Sequence, residues 1–140
     1  MKISTKGRYA LRVMIDLAQH DNGEFITLKD ISDRQGITIK YLEQIVASLS
    51  KAGFLRSMRG ASGGHRLSRK PADYRVGDIL RVMEGDLCPV ECTADAGLCP
   101  RVDTCTTMQF WRGLDKAINN YVDSFTLEDL MTTGASDYCI

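Results

Sequence analysis

The stretch ITLKDISDRQGITIKYLEQIVASLSKAG, residues 26–53, decides the fold. Thr27, with Asp30 three residues on, is typical of a helix N-terminus, and Gly36 ends that first helix. Thr38 then caps a second helix, whose apolar residues recur at helical spacing. These residues are Leu42, Ile45, Val46 and Leu49. Two helices joined by a tight turn that contains glycine predict a helix-turn-helix.

The flanking segments extend this motif to a winged helix-turn-helix. The apolar spacing of residues 9–19 predicts a preceding helix. Two strand-like runs flank the glycine-rich tip GASGG, residues 60–64, which predicts a hairpin. The expected fold class is therefore mostly α with a small β-wing. We assign residues 1–75 to a winged helix-turn-helix DNA-binding region.

Charge is divided between the two halves of the chain. Residues 1–75 carry 14 Lys/Arg and 7 Asp/Glu, whereas residues 76–140 carry 4 and 11, so a net charge of zero hides a basic half and an acidic half. This division favours a polyanionic partner for the first half. The sequence has no signal-peptide pattern and no long apolar run, so we expect a cytoplasmic protein without a membrane partner. It has no nucleotide fingerprint or catalytic His/Asp arrangement, which argues against an enzyme with a small-molecule substrate.

The second helix of a helix-turn-helix enters the major groove with its N-terminal residues against base edges. The candidate residues there are Thr38, Lys40, Tyr41, Glu43 and Gln44. We expect about half of them to contact no base. Arg59 directly precedes the glycine-rich tip and could enter a narrow minor groove from there. The other predicted DNA-binding residues are Arg56, Gly60, Gly63, Gly64 and His65 in the wing, beside Arg66 and Arg69, and Lys2, Ser4, Lys6 and Arg8 at the N-terminus.

A further helix is predicted after the irregular middle of the C-terminal half. Its apolar residues alternate at spacings of 3 and 4, which predicts either a seam between two copies of the chain or an ordinary core helix. These residues are Trp111, Leu114, Ile118, Tyr121 and Phe125. We favour a homodimer, because the rest of the chain offers a small core to cover such large side chains.

Three of the five cysteines, Cys92, Cys99 and Cys105, lie in a segment without helical or strand periodicity. A reducing compartment disfavours structural disulfides. The gaps of six and five residues are wider than those of zinc knuckles, whereas iron–sulfur clusters take mainly cysteine ligands. A metal that orders the loop would explain its irregular sequence. The alternative is a metal-free switch that forms disulfides under oxidant.

Several stretches together carry a family resemblance. MKISTKGRYALRVMIDLA (residues 1–18), YLEQI (41–45), RGASGGHRLS (59–68) and the three-cysteine segment resemble the IscR-type iron–sulfur cluster transcription regulators. Their winged-helix family also includes the nitric-oxide sensor NsrR and the cysteine-metabolism repressor CymR, which lacks the cysteine loop. The resemblance covers residues 2–130.

The resemblance implies a redox-sensing homodimer that binds a palindromic operator and governs iron–sulfur cluster biogenesis or related stress genes. It implies that Cys92, Cys99 and Cys105 hold the cluster, with [2Fe–2S] favoured over [4Fe–4S]. Residues 76–140 would then contain a cluster-binding loop, at about residues 88–108, and a dimerisation helix. A cluster-free thiol or disulfide sensor of the same fold stays open as the alternative.

The fourth cluster ligand is open because the sequence departs from the family pattern. The first gap has six residues instead of five, and Met108 stands where the family has its ligand histidine. The aspartate of the NsrR-type alternative is Arg8 here. Cys88 and Met108 are equal candidates. Asp103, Glu91, solvent or a small thiol are further ones.

Overall fold

The structure is a computed structural model that describes residues 1–95, 97 and 99–133. The elements run in the order α1 (Thr5–Gln19), α2 (Leu28–Gln35), α3 (Ile39–Lys51), β1 (Leu55–Met58), β2 (Gly64–Leu67), α4 (Val76–Glu84), α5 (Glu91–Ala94), α6 (Met108–Asp123) and α7 (Leu127–Thr133). This order confirms the predicted class, mostly α with a small antiparallel wing. No helix within these described ranges combines the length and apolar character that a bilayer crossing requires.

The helix-turn-helix forms where the sequence predicts it, because local hydrogen bonds set its boundaries. The Thr27 hydroxyl accepts a hydrogen bond from the backbone N–H of Asp30 at 3.1 Å and caps α2. Gly36 ends α2 with a φ of 67°, a left-handed conformation that favours glycine. The Thr38 hydroxyl accepts from the backbone N–H of Tyr41 at 3.3 Å and caps α3. These caps fix the turn and the start of α3.

The hydrophobic core lies between α1, α2 and α3. Its fully buried apolar side chains include Val13, Met14, Leu17, Ile31, Leu42, Ile45 and Leu49. Asp16 of α1 is buried among them and accepts hydrogen bonds from the Arg34 guanidinium, at 2.7 and 3.0 Å, and from Gln35 Nε2 at 2.9 Å. Burial raises the pKa of Asp16, but the hydrogen bonds from Arg34 and Gln35 outweigh burial and leave that pKa below its ordinary value. This ion pair fastens α2 to α1.

The first helix begins four residues earlier than predicted, at Thr5. The reason is a cap that involves a distant residue. The Ser4 hydroxyl accepts from the backbone N–H of Gly7 at 3.1 Å, and the Ser4 N–H and O–H donate to Glu84 Oε1 at 2.9 and 2.6 Å. A Cβ at Gly7 would collide with the Glu84 carboxylate, so glycine lets α4 approach α1 closely.

The wing is fastened to the helices on both sides. Leu55 lies opposite Leu67 in the β1–β2 pair, and both side chains are buried. Ile26 and His65 exchange two backbone hydrogen bonds of 2.8 Å, which adds an isolated bridge beside β2. The wing therefore stands in a fixed position next to α2.

Tyr74 closes the base of the wing onto the core, where it is 1% exposed. Its hydroxyl donates to the carbonyl of Phe54 at 2.7 Å and accepts from the backbone N–H groups of Ser68 and Arg69, each at 3.0 Å. The Tyr74 ring packs edge-on against Phe54, with centroids 5.6 Å apart. The chain leaving the wing is thus tied to the segment between α3 and β1.

Candidate nucleic-acid interface and cysteine loop

The N-terminal end of α3 presents polar side chains to solvent, whereas its apolar stripe faces the core. The exposed side chains are Lys40, Glu43 and Gln44. Tyr41 is half-buried, with its ring edge-on to Tyr9 at 5.7 Å. Thr38 is engaged as the cap. Glu43 and Gln44 lie three and four residues after Lys40, so the three side chains share one accessible face of α3.

Arg59 and Gly60 form the exposed tip of the wing. Gly60 has a φ of 105°, which a residue with a Cβ rarely adopts. A Cβ at Gly63 would collide with the backbone of the wing itself, and one at Gly64 would collide with the carbonyl of Ile26. These glycines have structural roles that leave Arg59 projecting at the tip. That Gly63 and Gly64 also approach DNA stays a prediction.

His65 points into a hydrogen bond within the wing. Its Nδ1 lies 2.8 Å from the Ser57 hydroxyl oxygen. Burial lowers the pKa of His65, so the neutral imidazole is favoured at neutral pH. Arg56, on the same strand as Ser57, is exposed. Arg56 rather than His65 therefore supplies positive charge on this part of the wing.

Basic residues surround the N-terminus of α1. Lys2 and Arg8 are exposed, and Lys6 is half-buried. The first turn contains no acidic residue, although the helix dipole makes that end positive and favours anions there. The Glu84 carboxylate of α4 offsets part of this charge through Ser4. Ser4 thus has a structural role that the sequence did not reveal, and its predicted contact with DNA stays untested.

The cysteine loop joins α4 to α6. Cys92 lies on α5, a one-turn helix that the sequence did not predict, and Cys105 lies just before α6. Cys88, Cys92, Cys99 and Cys105 are half-buried free thiols. Among the residues that the structure describes, no three cysteine, histidine or carboxylate side chains are gathered closely enough to hold a metal ion. The soft thiol donors fit an iron–sulfur cluster by their chemistry, but the structure does not preassemble them. Cys139, which we expect from its position next to the C-terminus to be an uninvolved free thiol, lies outside the described residues.

Two of these thiols differ in their electrostatic surroundings. A hydrogen bond with the Thr107 hydroxyl, 3.3 Å from the Cys105 sulfur, lowers the pKa of Cys105. Burial and the nearby Asp86 carboxylate, which accepts from the Cys88 thiol at 3.1 Å, raise the pKa of Cys88 to about 11. Cys105 is therefore the better thiolate, whereas Cys88 is held as a thiol.

The two main candidates for the fourth ligand are both engaged elsewhere. Met108 is 3% exposed at the start of α6, and Cys88 donates its thiol hydrogen to Asp86. Asp103 and Glu91 are exposed. Neither Met108 nor Cys88 gains an advantage from this arrangement, so the fourth ligand stays open.

Comparison with known proteins supports the family resemblance that the sequence carries. Residues 3–133 match the Rrf2 family model, described as an iron-dependent transcriptional regulator. The chain belongs to the Rrf2 family. It is 41% identical over 131 residues to the protein Rrf2 of Nitratidesulfovibrio vulgaris, covering 94% of this chain and 87% of that protein.

Two solved structures of Rrf2-type regulators are similar to this protein. One is T. potens IscR, with a TM-score of 0.75 and 41% identity, covering 100% of this chain and 92% of that chain. The other is CymR, the global cysteine regulator of B. subtilis, with a TM-score of 0.77 and 39% identity, covering 95% and 98%. The predicted resemblance is confirmed. This protein is a non-enzymatic transcriptional regulator, and likeness to both IscR and CymR leaves cluster control open.

The residues predicted to form a dimer seam on α6 differ in their burial in this Rrf2-family chain. Ile118 and Phe125 pack against the α4 side chains of their own chain, which agrees with the core-helix alternative for these two residues. Trp111 and Leu114 are half-buried, and Tyr121 is 67% exposed. The helix follows a period of 3.6 residues, so a row spaced at 3.5 drifts around it.

Arg81 of α4 fastens α6 to the winged-helix unit of this Rrf2-family protein. Its guanidinium donates to the Asp123 carboxylate at 2.8 and 3.0 Å and to Asn119 Oδ1 at 2.7 Å. The hydrogen bond from Arg81 lowers the pKa of Asp123. A Cβ at Gly77 would collide with Asp123, so glycine allows this close contact. Sequence reasoning missed this network, because no local pattern marks a contact about 40 residues apart.

Proposed function

We propose that this Rrf2-family regulator binds a palindromic DNA operator as a homodimer, and that an iron–sulfur cluster held by Cys92, Cys99 and Cys105 controls its affinity. The observation that carries the proposal is the position of the three thiols. All lie on the loop that joins α4 to α6. Through Glu84, α4 contacts the start of α1, where the basic N-terminus lies. Through Arg81, α4 contacts α6. A change in the loop can therefore act on both α1 and α6.

DNA contact is expected from three parts of the first half of the chain. The exposed end of α3 supplies Glu43 and Gln44, whose side chains can pair with cytosine and adenine edges. Arg59, exposed at the tip of the wing, would enter a minor groove. Lys2 and Arg8 are accessible to phosphates. Base edges then specify the site, while phosphates position the protein.

A homodimer is supported by what α6 leaves uncovered. In this 16-residue helix, Met108 is buried, whereas Phe110 is 64% and Tyr121 67% exposed. Phe110 and Tyr121 are eleven residues apart, which is about three helical turns, so they lie on the same side of α6 and a partner could cover both. A second copy that covers these side chains would fix the distance between the two α3 helices of the dimer. A palindromic operator would need that distance to be roughly 34–36 Å.

The chain offers a route from the loop to the DNA-binding surface. Leu87, 2% exposed, anchors the start of the loop in the cluster beneath α4, and Met108 anchors its end. Between these two anchors, the thiols can be drawn together without unfolding α4 or α6. Any resulting shift of α4 reaches Ser4 through Glu84. A coupling of about 1–3 kcal/mol would be ordinary for such a device.

An iron–sulfur cluster would supply redox chemistry and a cross-link between the thiols, with [2Fe–2S] favoured over [4Fe–4S] from the family resemblance. The free thiols of the loop satisfy the ligand type. Iron–sulfur cluster biogenesis or related stress genes would be the regulated functions. Cytoplasmic location follows from the reducing conditions that such thiols need.

The second candidate is a cluster-free thiol switch of the same fold. The similarity to CymR fits a cluster-free regulator as well as the similarity to IscR fits the first candidate. In that case Cys92, Cys99 and Cys105 would form disulfides under oxidant. Each disulfide joins two thiols and releases two electrons and two protons to an oxidant such as a peroxide. Such a protein would be colourless, and its mobility on non-reducing gels would depend on oxidant.

Anaerobic reconstitution with iron and sulfide distinguishes the two candidates. We expect a visible charge-transfer spectrum with stoichiometric iron and sulfide in the wild type and in Cys139→Ala, the matched cysteine control. The triple variant at Cys92, Cys99 and Cys105 should remain folded and bind no iron. Full iron retention by that variant would overturn the ligand assignment. Cys88→Ala and Met108→Leu then test the fourth ligand.

A further inference from the structure

The base of the wing contains an open groove of about 310 Å³ that is distinct from the wing tip. Four cationic residues, Arg56, Arg66, Arg69 and Lys70, line it together with one carboxylate, that of Asp21. We call this feature the wing-base groove. Its cationic lining exceeds its anionic lining, so it attracts anions.

Two cationic residues of the wing-base groove, Arg56 and Arg66, repel each other because of where they lie in the wing. Arg56 and Arg66 are directly opposite partners in the β1–β2 pair, so their side chains project from the same face of the wing. Like charges in such a pair are destabilising. Asp21 offsets only part of the charge, since its carboxylate lies 3.9 Å from Arg66. Within the described residues, Arg56 and Lys70 have no carboxylate partner of their own.

Two of the three guanidinium groups of the groove, those of Arg66 and Arg69, are held in place before any ligand arrives. Arg66 donates to the carbonyl of Gly23 at 2.8 Å and lies over the Phe25 ring at 5.8 Å. The Arg66 Nε–H is buried and, among the described residues, has no hydrogen-bond partner. Arg69 lies over the rings of Phe54 and Tyr74, at 5.1 and 5.3 Å. Fixed guanidinium forks match the oxygens of a phosphate group, and little side-chain freedom is lost on binding.

We propose that the wing-base groove binds a phosphate group. The phosphate could be a phosphodiester of the bound DNA, in which case the inference rests on the proposed function, or it could belong to a free phosphate ion. Either source would neutralise the opposed pair of Arg56 and Arg66.

The first arm of the test uses inorganic phosphate and the free protein. NMR would follow the Nε–H signals of Arg66 and Arg69 while phosphate replaces chloride at constant ionic strength. We expect a saturating shift in the wild type and in Lys116→Gln, a matched control that removes one charge from exposed α6. The double variant Arg56→Gln/Lys70→Gln should show at least a tenfold weaker response.

The second arm measures DNA affinity against salt concentration. If DNA supplies the phosphate, the double variant should lower the slope of log K against log salt by roughly 1 to 2, and Lys116→Gln should not. A saturating phosphate shift with an unchanged slope assigns the groove to a free phosphate. If phosphate shifts do not saturate and the slope is unchanged, the proposal is overturned. The first arm needs no DNA, so its outcome is independent of whether the proposed function holds.

Discussion

Replacement of Tyr74 by phenylalanine tests how the wing is held. The substitution keeps the buried ring against Phe54 and removes only the hydroxyl. That hydroxyl donates to the Phe54 carbonyl at 2.7 Å and accepts from the N–H groups of Ser68 and Arg69 at 3.0 Å. Three hydrogen bonds to the backbone are therefore lost at one site, together with the 3.2 Å hydrogen bond between the Tyr74 and Ser68 hydroxyls, and no cavity larger than an oxygen atom is left.

The expected loss of stability is about 2–3 kcal/mol. A net hydrogen bond is worth about 1 kcal/mol, and a buried group left without a partner costs about 1–3 kcal/mol. Two features limit the loss. The Phe54 carbonyl keeps a hydrogen bond of 3.3 Å from Ser68, and Arg69 is exposed enough for water to replace its lost partner.

Urea denaturation at fixed protein concentration would measure this loss, because a dimer makes stability depend on concentration. Tyr41→Phe is the matched control, since that ring is half-buried in the same unit and, among the described residues, its hydroxyl has no hydrogen-bond partner. It should change stability by less than about 0.5 kcal/mol. Amide exchange at Ser68 and Arg69 should speed up in Tyr74→Phe. Equal stability of the two variants would refute the anchoring role of Tyr74.

Three further substitutions test other contacts. Asp16→Asn should destabilise the protein by about 2–3 kcal/mol at neutral pH, because Arg34 loses its carboxylate. The pKa of Asp16 in the folded protein is lowered from 3.8, so the wild type should be more stable than Asp16→Asn above about pH 4. This difference in stability should disappear as the pH falls through the lowered pKa. Loss of the difference at higher pH would contradict the role of the ionised carboxylate. Arg81→Met should return the pKa of Asp123 to its ordinary value in an NMR titration and cost about 1–2 kcal/mol, whereas an unmoved pKa would exclude their hydrogen bond. Arg59→Ala should weaken operator binding about tenfold, or ~1.4 kcal/mol, and reduce discrimination between A·T-rich and G·C-rich flanks. Unchanged affinity on both kinds of operator would remove Arg59 from the interface.

The helix-turn-helix could be predicted from the sequence because its determinants are local. Thr27, Gly36 and Thr38 act on backbone groups within three or four residues, and each is found in its predicted role. The glycine-rich tip likewise predicts the wing. Periodicity and capping are sufficient wherever a segment forms its own boundaries.

The remaining features depend on contacts between distant parts of the chain. The start of α1 depends on Glu84, which lies 80 residues from Ser4 in sequence. The ion pair between buried Asp16 and Arg34 and the contact between Arg81 and Asp123 leave no local pattern. The arrangement of the cysteines is different again, because no local pattern relates Cys92, Cys99 and Cys105, whose loop the proposed cluster would order.

Operator affinity with and without reconstituted iron and sulfide is the most direct test of the proposed control. The probe would be a palindromic fragment that the protein itself selects from random DNA, and fluorescence anisotropy would be recorded anaerobically at one salt concentration. A metal-dependent change of at least about fivefold is expected in the wild type and none in the triple cysteine variant. Equal affinities of fully loaded and metal-free protein would contradict control by an iron–sulfur cluster.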